Sequence, residues 1–180
     1  MRFPHPLRIP VMNHVSGRAY ELVRACEVSC DSSNLARIAA ICNEPDVYDW
    51  LFRGPLEGRP YKEEQARQWL QWSEGGWSSG SHFVFAVLDG EKNVAAACDI
   101  KSKEPKAEIG YWTSRRHRGI MTNAVIAMCT LAANAGFQGL FAQTKKENYR
   151  SQAVLERAGF ARSRSEHSEY ERFELFLSTK

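Results

Sequence analysis

Ala107-Glu108-Ile109-Gly110-Tyr111-Trp112-Thr113, followed by Ser114-Arg115-Arg116-His117-Arg118-Gly119 and then Ile120-Met121-Thr122-Asn123-Ala124, is the stretch on which the reading of this chain turns. Its first seven residues have the composition of a strand, and a helix is expected over 119–134, closed by Gly136. A strand that feeds a helix through a basic, glycine-containing turn can aim backbone N–H groups at a phosphate, and the helix N-terminus adds the positive end of its dipole. Gly119 would let the backbone come close, while Arg115, Arg116 and Arg118 add charge. A solvated basic helix cap has the same residues, so this stretch alone leaves both readings open.

Working outward, the flanking segments fall into a regular order. Upstream, 82–88, 93–101 and 107–113 are three strand-like runs, and the turns at Asp89-Gly90 and Glu104-Pro105 make them antiparallel neighbours. Before them come a strand over 20–28, a helix from Asp31, Ser32 or Ser33 to Cys42 that Pro45 stops, a structured loop over 44–61, and a helix over 62–73. Downstream are a short strand over 140–144, a helix over 148–158 closed by Gly159, and terminal strands at 160–163 and 170–177. The sum is a mixed α/β (α+β) domain over 19–180, with about seven strands and about four helices. Residues 1–18 are rich in proline and are expected to lie loosely on the surface.

Composition narrows the function classes. The chain has 180 residues, 43% hydrophobic and 25% charged, which suits one soluble domain. A formal charge of +3 makes no case for nucleic acid or an anionic membrane. The five cysteines are an odd number with no CxxC pair, which fits free thiols in a reducing cytoplasm better than a disulfide framework or a zinc site. His5, His14, His82 and His167 lack metal-ligand spacing, so no metal is expected. No apolar run has membrane-spanning length, and the N-terminus does not read as a signal peptide.

AEIGYW followed by RHRGIMTNAV resembles the fourth strand, phosphate loop and third helix of the GNAT N-acetyltransferase superfamily, closest to the branch that acetylates ribosomal-protein N-termini. The family loop is Gln/Arg-x-x-Gly-x-Gly/Ala, and Arg116-His117-Arg118-Gly119-Ile120-Met121 fits it except at Met121. Downstream, Asn148-Tyr149-Arg150-Ser151-Gln152-Ala153-Val154-Leu155-Glu156-Arg157-Ala158-Gly159-Phe160 is similar to the family's Asn-x-x-Ser-x-x-Val-Leu-Glu-x-x-Gly-Phe. Asn43-Glu44-Pro45-Asp46-Val47 is a weaker echo of the Asn-Asp-Pro-Glu-Val that often follows the first helix. The loop before Gly119 is two residues shorter than usual and lacks one customary glycine.

The resemblance implies a mostly antiparallel mixed sheet that splays between the family's fourth and fifth strands, with acetyl-CoA seated in the opening. It implies direct acetyl transfer to a primary amine, either a protein N-terminus or a small molecule; homodimers are frequent in the branch. Tyr111, Trp112 and Thr113 would supply backbone to the pantetheine arm, and Arg116, His117, Arg118, Gly119, Ile120, Met121 and Thr122 would form the pyrophosphate loop. Glu108 is the first candidate for the base and Asp99 the second. Leu155 stands where many family members have a tyrosine acid, whereas Ser151 matches the serine acid of the ribosomal branch; Tyr149 is an alternative donor, and Asn148 is cap and cofactor contact. The loop over 44–61, with Asp46, Asp49, Trp50 and Phe52, would either line the acceptor site and attract a cation or be a packed surface loop. The alternative function is a GNAT-fold module that holds an acyl-CoA without chemistry, favoured by the short loop and by Leu155. A cysteine nucleophile is disfavoured because no cysteine lies in either motif.

Overall fold

The computed structural model describes residues 1–177. Eight strands form one sheet in the order β1-β2-β3-β4-β5-β6-β8-β7. They are β1 (Arg8–Met12), β2 (Ala19–Arg24), β3 (Phe83–Leu88), β4 (Val94–Ile100), β5 (Lys106–Thr113), β6 (Gly139–Lys145), β7 (Ala161–Ser163) and β8 (Tyr170–Phe176). Every neighbouring pair is antiparallel except β5 and β6, which are joined by the crossover helix a parallel pair requires. The helices are α1 (Ser32–Cys42), α2 (Pro45–Leu51), α3 (Glu63–Ser79), α4 (Met121–Ala135) and α5 (Tyr149–Arg157).

Local chemistry accounts for the element ends. Asp31 caps α1 by accepting the N–H of Asn34 at 2.9 Å. Asn148 caps α5 by accepting the N–H of Ser151 at 3.2 Å. Period-two alternation divides the apolar residues between two faces. Phe85, Cys98, Ile109 and Tyr111 face one core with α4 and α5, whereas Ala86, Ala97 and Trp112 face a second core with α1 and α3. The central strand β3 is buried along its whole length, as a strand covered on both sides should be.

Three expectations need correction. Residues 1–18 do not lie loosely: Arg8–Met12 form β1 against β2, and Leu7 and Val11 are buried in the first core. Proline at Pro10 is tolerated there because β1 is an edge strand. The segment 44–61 is not all loop, because Pro45 begins α2 as well as blocking α1; proline is preorganised for the first helical position. Helix α3 runs past Ser73 through Gly75 and Gly76 to the left-handed Gly80. Gly76 is required there, since a Cβ would meet the His82 ring at 2.4 Å.

The feature that positions the site is where β5 and β6 part. Their pairing covers only Lys106 with Gly139, Ala107 with Leu140 and Glu108 with Phe141. Beyond Glu108 the two strands have no shared register, while β5 stays paired to β4 as far as Thr113 and β6 to β8 throughout. This is the splay expected between the family's fourth and fifth strands.

Candidate functional site

The β5 edge inside the opening can be worked out from register. Lys101 N–H donates to the Glu108 carbonyl at 2.9 Å and Ser114 N–H to the Ala95 carbonyl at 3.0 Å. Backbone groups alternate along an antiparallel pair, so Gly110 and Trp112 point theirs at β4 and Tyr111 and Thr113 point theirs into the opening. Trp112 differs from the backbone role expected of it. Its backbone faces β4, and its indole lies in the second core against Trp69, with ring centroids 5.7 Å apart.

The loop after β5 makes a short 3-10 turn at Arg115–His117 and reaches Gly119, whose φ of +98° is the left-handed backbone that glycine adopts freely. The close approach at Gly119 is made by the N-terminal segment. A Cβ there would meet Asn13 Oδ1 at 2.5 Å and Val15 Cγ2 at 2.7 Å. Buried Asn13 donates to the Arg118 carbonyl at 2.9 Å, and His14 N–H donates to the Gly119 carbonyl at 3.3 Å. The His14 ring also contacts that carbonyl, and Asn123 ties the first turn of α4 to the Met12 carbonyl at 2.7 Å. The loop is therefore clamped from behind by a segment with no sequence periodicity.

Under the loop, His117 is half-buried and hydrogen-bonded to the Tyr20 hydroxyl at 2.9 Å, so its ring anchors the turn. Burial holds its imidazole below the ordinary value. Ile120 and Met121 are buried in the first core, so the methionine at the customary small position directs its side chain inward. Thr122 is also buried and accepts from Arg157 at 3.2 Å.

Fit to a pyrophosphate can be tested on the donors. Among the described residues, the N–H groups of Arg118, Gly119, Met121, Thr122 and Asn123 find no protein acceptor. Those at the start of α4 are the unsatisfied donors that every helix N-terminus carries. Arg116 is exposed and makes no ion pair among the described residues. Five free amides and a free guanidinium at a helix start suit a dianionic group.

Two carboxylates from the Asn43–Val47 echo close on the same loop, one of them on a residue not assigned there. Glu44 accepts the Ser114 hydroxyl at 2.8 Å and the Arg115 N–H at 2.6 Å. Asp46 gathers Arg118 at 2.7 Å, Arg150 at 2.6 Å and Arg115 at 3.6 Å. Burial works to raise the Asp46 carboxyl, but Arg118 and Arg150 hold it below the usual carboxylate range. Because Arg118 follows β5 and Arg150 opens the helix after β6, Asp46 links the two arms of the opening. The expectation that Asp46 and Asp49 attract an acceptor cation is thereby corrected: Asp49 is paired with Arg53 at 2.6 Å. Phe52 packs on Tyr61, and Trp50 is exposed.

Deeper in, the two base candidates differ sharply. Glu108 is paired with Lys101 at 2.7 Å and sits at the last register position before the strands part. Asp99 lies opposite Gly110, whose N–H donates to its Oδ1 at 3.1 Å, and among the described residues it makes no salt bridge. Burial pushes the Asp99 carboxyl up to about 6, against the opposing pull of Lys101 and the Gly110 N–H. A Cβ at Gly110 would stand 3.1 Å from Asp99 Oδ1, so a larger residue there would push the carboxylate aside by a few tenths of an ångström.

Ser151 lies in the first turn of α5 with its Oγ 2.7 Å from the Tyr111 hydroxyl across the opening. Tyr149 is 72% exposed and makes no hydrogen bond among the described residues. Leu155 is fully buried. Asn13, His14, Glu44 and Tyr20 are contributors that sequence reasoning missed; only the Asn-Glu-Pro-Asp-Val echo carried any signal, and only for Glu44.

No curated protein matches the chain. A solved structure of RimL, a ribosomal L7/L12 α-N-protein acetyltransferase in complex with coenzyme A, aligns over 96% of this chain and 100% of its own, with a TM-score of 0.74 at 17% identity. RimJ of Mycobacterium smegmatis, in complex with CoA-disulfide, aligns over 98% and 90% with a TM-score of 0.74 at 15% identity. The microcin C7 self-immunity acetyltransferase MccE, in complex with acetyl-CoA and AMP, aligns over 88% and 92% with a TM-score of 0.70 at 13% identity. At such identities these likenesses establish a shared fold. A family model described as an acetyltransferase (GNAT) domain matches residues 28–161, most of the chain. The chain belongs to the GNAT acetyltransferase domain family.

Proposed function

We propose that this protein transfers an acetyl group directly from acetyl-CoA to a primary amine, on a protein N-terminus or a small molecule. The observation that carries the reading is the β5 edge freed from β6 beyond Glu108, leading into a loop whose five amides lack acceptors. Arg118, Gly119, Met121, Thr122 and Asn123 would hold the pyrophosphate through their N–H groups, and Arg116 would add charge from solvent. The open backbone groups of Tyr111 and Thr113 would hold the pantetheine arm. Acetyl-CoA, when bound, supplies the activated acyl group as a thioester.

Asp99 is the base in this reading, ahead of Glu108. A free primary amine is mostly protonated near neutrality, with a pKa of about 8 for an α-amine and about 10.4 for lysine. A base ionising near 6 is poised to take that proton at pH 7. Glu108, held by Lys101, is less able to do so, and serves to fix the ammonium of Lys101 beside the cleft. Ser151 is the acid: its hydroxyl gives a proton to the departing sulfur and regains one from solvent. Starting from the protonated amine, two protons leave nitrogen per turnover, the first to Asp99 and the second as the tetrahedral intermediate collapses; one is matched by the proton that reaches the thiol, and the other goes to solvent. Tyr149, largely exposed at the same helix end, is the weaker donor.

The test is acetyl-CoA binding by calorimetry, followed by thiol release against a panel of amines and N-terminal peptides. Binding with turnover is the expected result and begins to name the acceptor. Binding without turnover on any amine would favour the acyl-CoA-holding module. Absence of binding would overturn the reading.

A further inference from the structure

The resemblance assigned Tyr111 only a backbone role, but its side chain makes one of the few polar contacts across the opening. From β5 its phenol reaches the first turn of α5, donating to the Ser151 carbonyl at 3.0 Å and lying 2.7 Å from Ser151 Oγ. The N–H of Ser151 is meanwhile taken by Asn148 Oδ1 at 3.2 Å. All three polar groups of Ser151 are thus engaged by two side chains, one local and one from the opposite arm of the cleft.

We propose that Tyr111 is a positioning residue that holds the Ser151 hydroxyl in place to protonate the departing thiolate, a role that rests on the reading of Ser151 as the acid. An isolated serine hydroxyl rotates among three staggered wells, and in the first turn of a helix it is drawn back towards neighbouring backbone groups. A phenol 2.7 Å away selects one rotamer. The phenol has one proton and two acceptors to choose from. Given to the Ser151 carbonyl, it leaves the phenolic oxygen to accept from Ser151; given to Ser151 Oγ, it frees the serine proton to point into the opening. Changing between the two needs only rotation about C–O bonds, so the serine can be held before transfer and released for it.

The same geometry argues against Tyr111 as the proton source. Supplying the proton would leave a phenolate in a half-buried site packed against the first core. Burial raises the Tyr111 phenol well above its ordinary range, despite the opposing hydrogen bond from Ser151. Hydrogen-bonded to both Ser151 oxygens, the phenol acts through the serine.

A double-mutant cycle on the whole protein tests this, with kcat, KM for acetyl-CoA, calorimetric affinity and Tm measured for Tyr111→Phe, Ser151→Ala and the pair. Tyr111→Phe is expected to lower kcat about tenfold with KM and affinity within about twofold, because a contact that serves only the chemical step is lost. The pair is expected to match Ser151→Ala alone within about twofold, since residues acting as one unit are not additive. Unchanged kcat in Tyr111→Phe beside a slow Ser151→Ala overturns this inference and spares the Ser151 reading. Losses that multiply in the pair overturn it too, because Tyr111 would then act independently. An unaffected Ser151→Ala removes both.

Discussion

The two ends of the opening are built from different physics. At the loop end, three arginines converge on Asp46, and every partner is at least one-third exposed. At the strand end, Asp99 meets the Gly110 amide, and Tyr111 meets Ser151 with both groups half-buried. Exposed ion pairs are each worth about 0–1 kcal/mol and are screened by salt, so Asp46 can give up its arginines to a more highly charged anion at little cost. A half-buried carboxylate or hydroxyl is set by a few short contacts, and losing one leaves the other partner unsatisfied. One end can exchange partners, and the other holds a geometry.

Breaking the strand end should have the larger effect. Asp99→Asn is expected to lower kcat about 10²–10⁴-fold, the usual span for a general base, with acetyl-CoA affinity retained. In the native protein the rate should rise with pH through about 6 and then level, and this limb should vanish in the variant. Stability moves the other way. The folded carboxyl ionises near 6 and an unfolded aspartate near about 3.9, so the folded chain binds the extra proton and native stability falls as pH rises between the two values. Asp99→Asn should therefore raise Tm at pH 8, by about 2–4 °C per kcal/mol recovered, and have no such effect at pH 3. A fall in Tm at pH 8 would mean that the carboxylate is stabilised by contacts other than those described.

Glu108→Gln sharpens the comparison within the strand end. Because Lys101 already neutralises Glu108, the expected loss in kcat is about tenfold or less, well short of the Asp99 effect. The reverse order, measured on the same acceptor, would return the base to Glu108.

At the loop end the expected effects are smaller and fall on affinity. Gly119→Ala forces a Cβ into the space of Asn13 and Val15 on a left-handed backbone, which costs about 1–3 kcal/mol. Isothermal titration should show weaker acetyl-CoA binding with kcat at saturation little changed. Asp46→Asn is the mildest. Removing the resident carboxylate frees Arg118 and Arg150, so affinity should rise about threefold at low salt, with a steeper salt dependence. Weaker binding in Asp46→Asn would mean that the carboxylate orders the arginines for the ligand instead of competing with it.

Much of this was legible in the chain, and the illegible part has a pattern. The strand–loop–helix at 107–124 and the helix cap at Asn148 were readable because each depends on neighbours within a few residues. Strand β1 was missed because Arg8–Met12 includes Pro10 and becomes a strand only through pairing with β2. Asp46 was assigned to an acceptor because its sequence neighbours give no hint that Arg118 and Arg150, 72 and 104 positions away, end beside it. The proposal places Asp99 ahead of Glu108 for a similar reason, since the pairing of Glu108 with Lys101 depends on the register of β4 against β5.

By itself the sequence determined the order of elements, the basic glycine turn before α4 and the residue types available for proton transfer, because periodicity, capping and turn chemistry are local. Tertiary structure decided where β5 parts from β6, which of the two carboxylates is ion-paired, and that Tyr111 meets Ser151. Those outcomes depend on contacts between residues tens of positions apart, which only the packed sheet and its helices bring within hydrogen-bond distance.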